Sequence, residues 1–576
     1  MKDKRSGTQV LYGLLPEQTA DLQGGIWKTV EWRDPIRVDV DEATIRQRLE
    51  VEILGWTKDV GAVHASRNLD IEVVKINEGR GVKVERFPEI YVCRHCRQVE
   101  SGRDRNCVCG QNRWQQVHFV GYHECGRLEE PRIPRCERHH KAQMEYQPTI
   151  DASKIVFRCP VCHTVLHRGF PFRRCPCGRR WPQRDSHALS YTVHRSASVY
   201  TPQSFVLINP GSKRRIIEIT EAGGPRRALT WLLNGMREDR PSERRHTTSS
   251  LVDQLIASGV SRPVAEQMVG VAASHGELTN EDDLGPLGSA PGDRLAQAER
   301  EATDLALATF DGRVRVDDLV TEGTPAALRD RYTRAYPTAI QRAGLEAIEL
   351  ADRFPVMRTV YGFTRGGTVP GAVNLNLFSG KRGRRVYADP QQSEALMFKL
   401  DPLLVGRWLR TRGHQLPEAT DARGIRAAIA STIDLPSRFN EHGGPPAPGS
   451  DLLTLVHSYA HRVIRQLSVF AGVDRESLGE YLLPSHGIFF VFAAARGDFV
   501  LGGLQAVFEN DLQSFLDAVV HAEHRCPLDP ACERNGGACH ACSHLGEPVC
   551  GHFNRYLRRE SLFGPAGFFR LSGETR

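Results

Sequence analysis

Residues Cys526–Cys550 read CPLDPACERNGGACHACSHLGEPVC and carry five cysteines: Cys526, Cys532, Cys539, Cys542 and Cys550. Four thiolates held at short spacing close a tetrahedral shell around Zn2+, and a Cys-x-x-Cys pair such as Cys539–Cys542 lets one tight turn supply two of them. Loop formers (Asp529, Pro530, Asn535, Gly536, Gly537) separate that pair from the earlier thiols. Redox thiols or scattered buried cysteines are the competing readings. Five cysteines are one more than a zinc site needs, and spacing alone does not say which four bind.

The same chemistry recurs nearer the start. Cys93-x-x-Cys96 is followed by Cys107-x-Cys109-Gly110, and Cys159-x-x-Cys162 by Cys175-x-Cys177-Gly178. In each case a hydrophobic run leads into the first pair, and the second pair ends on a glycine suited to positive φ. This internal repeat predicts tandem zinc ribbons, one on Cys93, Cys96, Cys107 and Cys109, the other on Cys159, Cys162, Cys175 and Cys177. Between them lie His123, Cys125, Cys136, His139 and His140. These predict either a third zinc site, on Cys125 and Cys136 with two histidines, or two buried thiols beside surface histidines.

What precedes the terminal knot adds a second kind of information. Leu453-Thr454-Leu455-Val456-His457-Ser458-Tyr459-Ala460-His461, Glu480-Tyr481-Leu482, Gly487-Ile488-Phe489-Phe490 and Leu501-Gly502-Gly503-Leu504 come before or around it, and Asn554 and Arg558 follow Cys550. This series resembles the cysteine-bearing C-terminal module of MrfA-type DEXH-box helicases. It is still more similar to the DrmB family, whose members carry that module as stand-alone proteins of DISARM anti-phage systems. The paired ribbons after Phe87-Pro88, the run Val360–Arg365 and the stretch Glu394–Leu400 resemble that family in the same order. The first ninety residues match it poorly, and Val120–Gly126 departs from its usual pattern. The resemblance implies a subunit without ATPase activity of its own that works beside a superfamily-two helicase, DrmA-like, which supplies ATP hydrolysis.

Composition sets the frame. The chain has 576 residues, 40% hydrophobic and 25% charged, with a net charge of +7. That is ordinary globular composition, too long for a single core. The modest positive charge permits nucleic acid as a partner without requiring it. The fifteen cysteines are clustered rather than spread, which favours metal over disulfides. The opening MKDKRSGTQV has no apolar core behind it, and the longest apolar run, Gly487–Ala495, is far short of the roughly 20 residues that span a bilayer. The expectation is a soluble cytoplasmic protein.

The expected architecture is α+β and multidomain. A β-rich segment occupies 1–90, with strands at Val51–Leu54, Ile71–Ile76 and Val82–Val84, and the ribbons occupy 91–184. A mixed, then mostly helical domain covers 185–350, with helices at Ala228–Leu233 and Leu295–Ala308. A β-rich segment fills 351–440, containing Met357–Arg365, a basic turn at Gly380–Arg385, and Glu394–Leu400 leading into a helix at Leu403–Leu409. After a linker at His442–Gly449 comes the zinc-bound α/β module, 451–576, with a helix carrying His457 and His461, a buried strand in 487–495, and a helix at Leu512–His521.

No G-x-x-x-x-G-K-[ST] phosphate loop and no DEAD-like box occur, so the chain lacks a motor signature. His457 and His461 share one helix face at i, i+4, but Ser458-Tyr459-Ala460 between them lacks the glutamate of HExxH. Nor does the adjacent sequence supply the carboxylates that a Mg2+-dependent nuclease needs. A structural role is the main expectation for the pair, and a metal-dependent nuclease site the alternative. DNA contact is expected from Arg94, Arg97, Arg103, Arg105 and Arg113 in the first ribbon, and from Arg158, Arg168, Arg173, Arg174, Arg179 and Arg180 in the second. Trp114, Phe170, Phe172 and Trp181 are candidates for base stacking, and Lys381, Arg382, Arg384 and Arg385 for a second basic contact. Such contacts would grip backbone rather than read sequence. The competing readings are that these arginines simply solvate a small domain diluted by Glu100, Asp104, Glu129 and Glu130, and that the protein is a scaffold binding only other proteins.

Overall fold

A computed structural model describes residues 5–56, 70–102, 105–145, 151–178, 180, 187–208, 213–238, 248–274, 284–367, 373–381, 383–436, 447–493, 502–546 and 549–573. It is a mixed helix-and-sheet, multidomain protein that divides into two compact units. Unit 1 is Met1–Phe205 with Met357–Pro390, and unit 2 is Val206–Val356 with Gln391–Arg576. Among the described residues no helix is long and apolar enough to cross a membrane.

Unit 1 begins with helix Gly7–Gly13, whose N-terminus is closed by a reciprocal capping box between Ser6 and Gln9. Strands Thr19–Leu22, Gly25–Trp32 and Val82–Arg86 form an antiparallel sheet. Helix Glu42–Trp56 replaces the strand expected at Val51–Leu54. Its buried residues Ile45, Leu49, Ile53 and Trp56 recur at helical spacing, while Val51 and Leu54 face solvent. Those two exposed apolar side chains were what made the segment look strand-like.

The cysteine-rich region of unit 1 is three small antiparallel sheets, each of three strands. Ile90–Cys93 lies between Val99–Ser101 and Trp114–Gln116; Phe119–Tyr122 between Leu128–Glu129 and Ser190–Val193; Val156–Arg158 between Gln143–Glu145 and Val165–Arg168. Ile90, Val92, Val99, Val117, Phe119, Met144, Ile155, Phe157 and Phe170 form one small core beneath them. Phe170 packs against Phe119, Phe157 and Tyr191, so it is a core residue and not a base-stacking surface.

In unit 2, strand Ile488–Ala493 pairs with Leu478–Leu483 on one side and with Ala395–Lys399 on the other. Its alternating side chains enter two different cores. Phe489 and Val491 pack with helix Pro448–Phe470, whereas Phe490 and Phe492 pack with Phe354, Trp231 and the helices Gly224–Leu233 and Gly292–Ala308. A strand buried on both faces explains the unbroken apolar run. Helix Gly224–Leu233 ends, rather than begins, at the expected Ala228–Leu233. Strand Gly383–Leu400 starts inside the expected basic turn, which takes Arg384 and Arg385 into regular pairing with Ile71 and Glu72 of strand Asp70–Lys75 within unit 1. Helix Pro402–Thr411 follows directly, capped by the Asp401 carboxylate on Leu403 and Leu404 N–H.

Strands of the unit 2 sheet carry a buried charge group. Glu349 accepts from Arg313 and meets Lys399 Nζ at 2.7 Å, with all three side chains at most 6% exposed. Burial opposes ionisation of Glu349, but the two cations outweigh it and hold its carboxyl below the usual range. The stability this contributes is present above the ordinary glutamate range of the unfolded chain and is lost as pH falls through the lower folded value. Glu349→Ala leaves two buried cations uncompensated and should destabilise unit 2 by about 3–5 kcal/mol in urea titration at neutral pH. That deficit should shrink when the titration is repeated under acid conditions.

Candidate metal centres

Each cysteine group of unit 1 sits where a strand ends. Strand Ile90–Cys93 terminates on its first ligand and pairs with Trp114–Gln116 so that Cys93 stands opposite Trp114. The Cys107–Cys109 turn, which precedes that second strand, therefore returns beside Cys93. Sγ–Sγ distances are 3.7 Å for Cys93–Cys109, 3.2 Å for Cys107–Cys109 and 2.9 Å for Cys96–Cys107. A tetrahedral ion with sulfur at about 2.3 Å sets its sulfurs about 3.8 Å apart, whereas a disulfide holds them at about 2.05 Å. All fifteen cysteines are free of disulfides. Burial opposes ionisation of Cys93, but the peptide N–H groups of Cys96 and His95 outweigh it and draw the thiol down to about 6.

The remaining cysteines of unit 1 group differently from the expected second ribbon. Cys159 and Cys162 meet Cys136 and His139, while Cys175 and Cys177 meet His123 and Cys125. Register is the reason. Gln143–Glu145 runs antiparallel to Val156–Arg158 with Gln143 opposite Arg158, so the chain before the first strand lies beside the chain after the second. His139 Nδ1 stands 3.5 Å from Cys136 Sγ and 3.4 Å from Cys159 Sγ, and Cys136 and Cys162 sulfurs are 3.9 Å apart. Likewise Tyr122 pairs with Ser190, and Cys175 N–H donates to His187 O, which brings the 123–125 turn to the 175–177 turn. Cys125 and Cys175 sulfurs are 3.7 Å apart, and His123 Nδ1 is 3.5 Å from Cys177 Sγ. The middle histidines and cysteines thus serve two clusters, not one.

Two turn types underlie all six ligand pairs. After Cys93–Cys96, Cys136–His139 and Cys159–Cys162, the next residue takes positive φ (Arg97 63°, His140 53°, His163 58°) and its N–H donates to the carbonyl of the first ligand. His140 is therefore a turn residue and not a ligand. After Cys107–Cys109, His123–Cys125 and Cys175–Cys177 comes a glycine at φ 72°, 91° and 69°. His123-x-Cys125-Gly126 was visible in the sequence as a histidine variant of the C-x-C-G turn. Its backbone is gripped from below: Arg365, buried, donates through Nε to Gly126 O at 2.9 Å, and Asn376 donates to Glu124 O at 3.1 Å.

In unit 2, four of the five terminal thiols converge: Cys526, Cys532, Cys539 and Cys542. Cys526–Cys539 is 3.5 Å, and Cys532–Cys542 and Cys539–Cys542 are both 3.7 Å. Arg559 ties the loop by donating to both Asp529 oxygens, at 2.7 and 3.0 Å, and to Gly537 O at 2.9 Å. Cys550 stands apart with His457, His461 and Glu480. Glu480 supplies the carboxylate that the local sequence around the histidines lacks; it comes from strand Leu478–Leu483 across the fold. Each of the five clusters has ligand atoms within 4.8 Å of one another and can hold a metal ion.

Residues 6–201 match a family described as a domain of unknown function (DUF8724). That span contains the three unit 1 clusters. The chain is also similar to the DISARM protein DrmB of Bacillus paralicheniformis. Identity is 23% over 284 residues, covering 46% of this chain and 47% of that protein, so the chain spans about half the length of the curated relative it matches.

The expected nucleic-acid contacts are placed unevenly. Arg94, Arg97, Arg113, Arg173, Arg174, Arg180 and Lys381 are exposed. Arg173 pairs with Glu129 at 2.8 Å, Arg105 lies 3.5 Å over the Tyr91 ring, and Arg385 is committed to Glu72 at 2.7 and 3.0 Å. Phe172 is exposed and Trp114 half-buried. Arg103, Arg179, Trp181 and Arg382 lie outside the described residues.

The regrouped ligands make a direct prediction. In His139→Ala, iodoacetamide labelling read by mass spectrometry should rise at Cys136, Cys159 and Cys162 while Cys125, Cys175 and Cys177 stay protected. Tandem ribbons would instead leave all four of Cys159, Cys162, Cys175 and Cys177 unaffected by that substitution.

Proposed function

We propose that this protein is a non-catalytic, zinc-stabilised subunit of a bacterial anti-phage defence complex, a DrmB-like partner of a superfamily-two helicase that helps bind or load DNA. The observation that carries the reading is the similarity to the DISARM protein DrmB, joined to a chain whose cysteine clusters can hold metal. The motif order of the terminal module, as in MrfA-type helicases, supports the same reading. Zinc fits the four sulfur-rich donor sets, each of which offers four ligands and so leaves no position for substrate. Small sheets with so little core of their own draw folding energy from such ions.

DNA contact falls to the exposed arginines on the metal-fixed turns, above all Arg94, Arg97 and Arg113, with Arg174, Arg180 and Lys381 as further contacts. Fixed turns settle the backbone from which the guanidinium groups reach phosphate, so the entropy lost on binding is that of the side chains alone. The nuclease alternative finds a carboxylate beside His457 and His461, but the group is wholly buried and closed, which leaves no place for a phosphodiester. The scaffold alternative draws support from the arginines already paired within the chain.

Fluorescence anisotropy with a single-stranded and a duplex oligonucleotide, across a salt series, tests the reading, together with ATP hydrolysis by the candidate helicase. Binding should weaken steeply with salt, and helicase turnover should rise on mixing. Arg94→Gln, Arg97→Gln and Arg113→Gln combined should weaken binding at least tenfold and flatten the log–log salt slope by about 2–3. A fully metallated protein that neither binds DNA nor alters the helicase would refute the loading role and leave the scaffold.

A further inference from the structure

His457 and His461 lie one turn apart on helix Pro448–Phe470, Glu480 on strand Leu478–Leu483, and Cys550 in the chain that follows the terminal knot. Their side chains converge on one point. His457 Nε2 is 3.3 Å from Cys550 Sγ and 3.3 Å from a Glu480 oxygen, and His461 Nε2 is 3.5 Å from the other. These are long for hydrogen bonds to a carboxylate, which run at about 2.7–2.9 Å when charge-assisted. The 3.3 Å from His457 Nε2 to Glu480 matches the nitrogen–oxygen edge of a tetrahedron with donors at about 2.0–2.1 Å from a central ion, which is about 3.3–3.4 Å.

The hydrogen bonding at the rim points the same way. His461 Nδ1 lies 2.7 Å from the Ser543 carbonyl, which accepts only from an N–H. The proton is thereby fixed on Nδ1, and the Nε2 lone pair is aimed inward. That Nε2 and both Glu480 oxygens are buried without a hydrogen-bond partner. A backbone carbonyl holding the far side of an imidazole is how metal-binding histidines are oriented.

Charge supplies an independent argument. The Glu480 side chain is 1% exposed, and among the described residues its ion-pair partners are the two imidazoles, with no lysine or arginine. A buried carboxylate needs a cation, and a neighbouring thiol can ionise only if that cation can neutralise it as well. A divalent ion with two neutral imidazoles, one carboxylate and one thiolate is electrically neutral. The same ion with four thiolates carries two negative charges, and with three thiolates and a histidine, one. The structure sorts the clusters by that sum: the four sulfur-rich ones each reach the surface, and the fifth is buried at all four ligands.

We propose that His457, His461, Glu480 and Cys550 form a further metal site, a closed structural centre for a divalent transition ion of zinc type. Two nitrogens, one oxygen and one sulfur suit a borderline ion, and four protein ligands leave no open position. The ion would bind helix, edge strand and tail to one another, which makes it a clamp on the terminal module rather than part of the knot of Cys526–Cys542.

Native mass spectrometry and elemental analysis of the full-length chain should give five ions per chain, one for each cluster. After exchange with 113Cd2+, the NMR spectrum should contain one resonance well upfield of the sulfur-rich group, the signature of a mixed donor set. Cys550→Ser with His457→Asn should lower the count by one and delete that resonance, while Cys526, Cys532, Cys539 and Cys542 remain protected from alkylation. If the doubly substituted chain does not fold, the wild-type cadmium spectrum decides alone. A wild-type spectrum without the upfield resonance, or a double variant that keeps it, overturns the proposal. Neither readout involves DNA or a helicase, so the result is separate from the fate of the functional reading above.

Discussion

Antiparallel register decides which ligands meet in unit 1. A ligand pair placed just after one strand lies beside the chain just before its antiparallel neighbour, whatever the separation in sequence. Gln143 opposite Arg158 brings Cys136 and His139 to Cys159 and Cys162, and Tyr122 opposite Ser190 begins the path that carries His123 and Cys125 to Cys175 and Cys177. The small core of Phe119, Met144, Phe157 and Phe170 lies under all of it. Each sheet has only three strands, so strands and ligand turns must hold one another in place. Removing a metal should loosen register, and loosening register should scatter the ligands, which is the coupling of folding to metal binding expected for modules of this size.

Unit 2 rests on a different device. Ile488–Ala493 is buried on both faces and contributes alternate side chains to two cores, with Phe489 stacked on Phe398 and Phe490 on Phe354, each at 4.8 Å. Helix Pro448–Phe470 packs on one of those faces and carries both histidines inward. The neighbouring strand, Leu478–Leu483, brings Glu480 to them. Ordinary hydrophobic packing therefore positions the fifth cluster, whereas in unit 1 packing and ligand turns share the task.

Much of this was legible in the sequence, and the failures have physical causes. The cysteine turns were legible because C-x2-C and C-x-C-G encode a local geometry. Which turns pair was not, because pairing is set by strand register, and a repeat of similar spacing suggested two like ribbons where the chain nests one cluster inside another. The histidine-bearing turns at His123 and His139 are those same two geometries with one sulfur replaced. Glu480 escaped because a carboxylate from a distant strand has no local signature. The helix at Glu42–Trp56 was hidden by Val51 and Leu54, apolar residues on its solvent face, and the basic turn at Gly380–Arg385 proved shorter because Glu72 offers Arg385 an ion pair within a regular ladder.

The arginines around these clusters have two possible tasks, and burial separates them. A four-thiolate centre is anionic once a divalent ion is bound, so nearby cations lower its cost. In unit 2, Arg465 donates to Ala541 O at 2.9 Å and Arg559 is locked on Asp529, both close to the knot. The cysteines of the knot act electrostatically on both guanidinium groups. Their charge is spent inside the protein. Arg94, Arg97 and Arg113 in unit 1 lie on exposed turns instead. A guanidinium facing water does little for a centre several ångströms away through high dielectric. Where charge compensation is weak, the field of guanidinium groups on exposed turns is directed to solvent rather than to the centre.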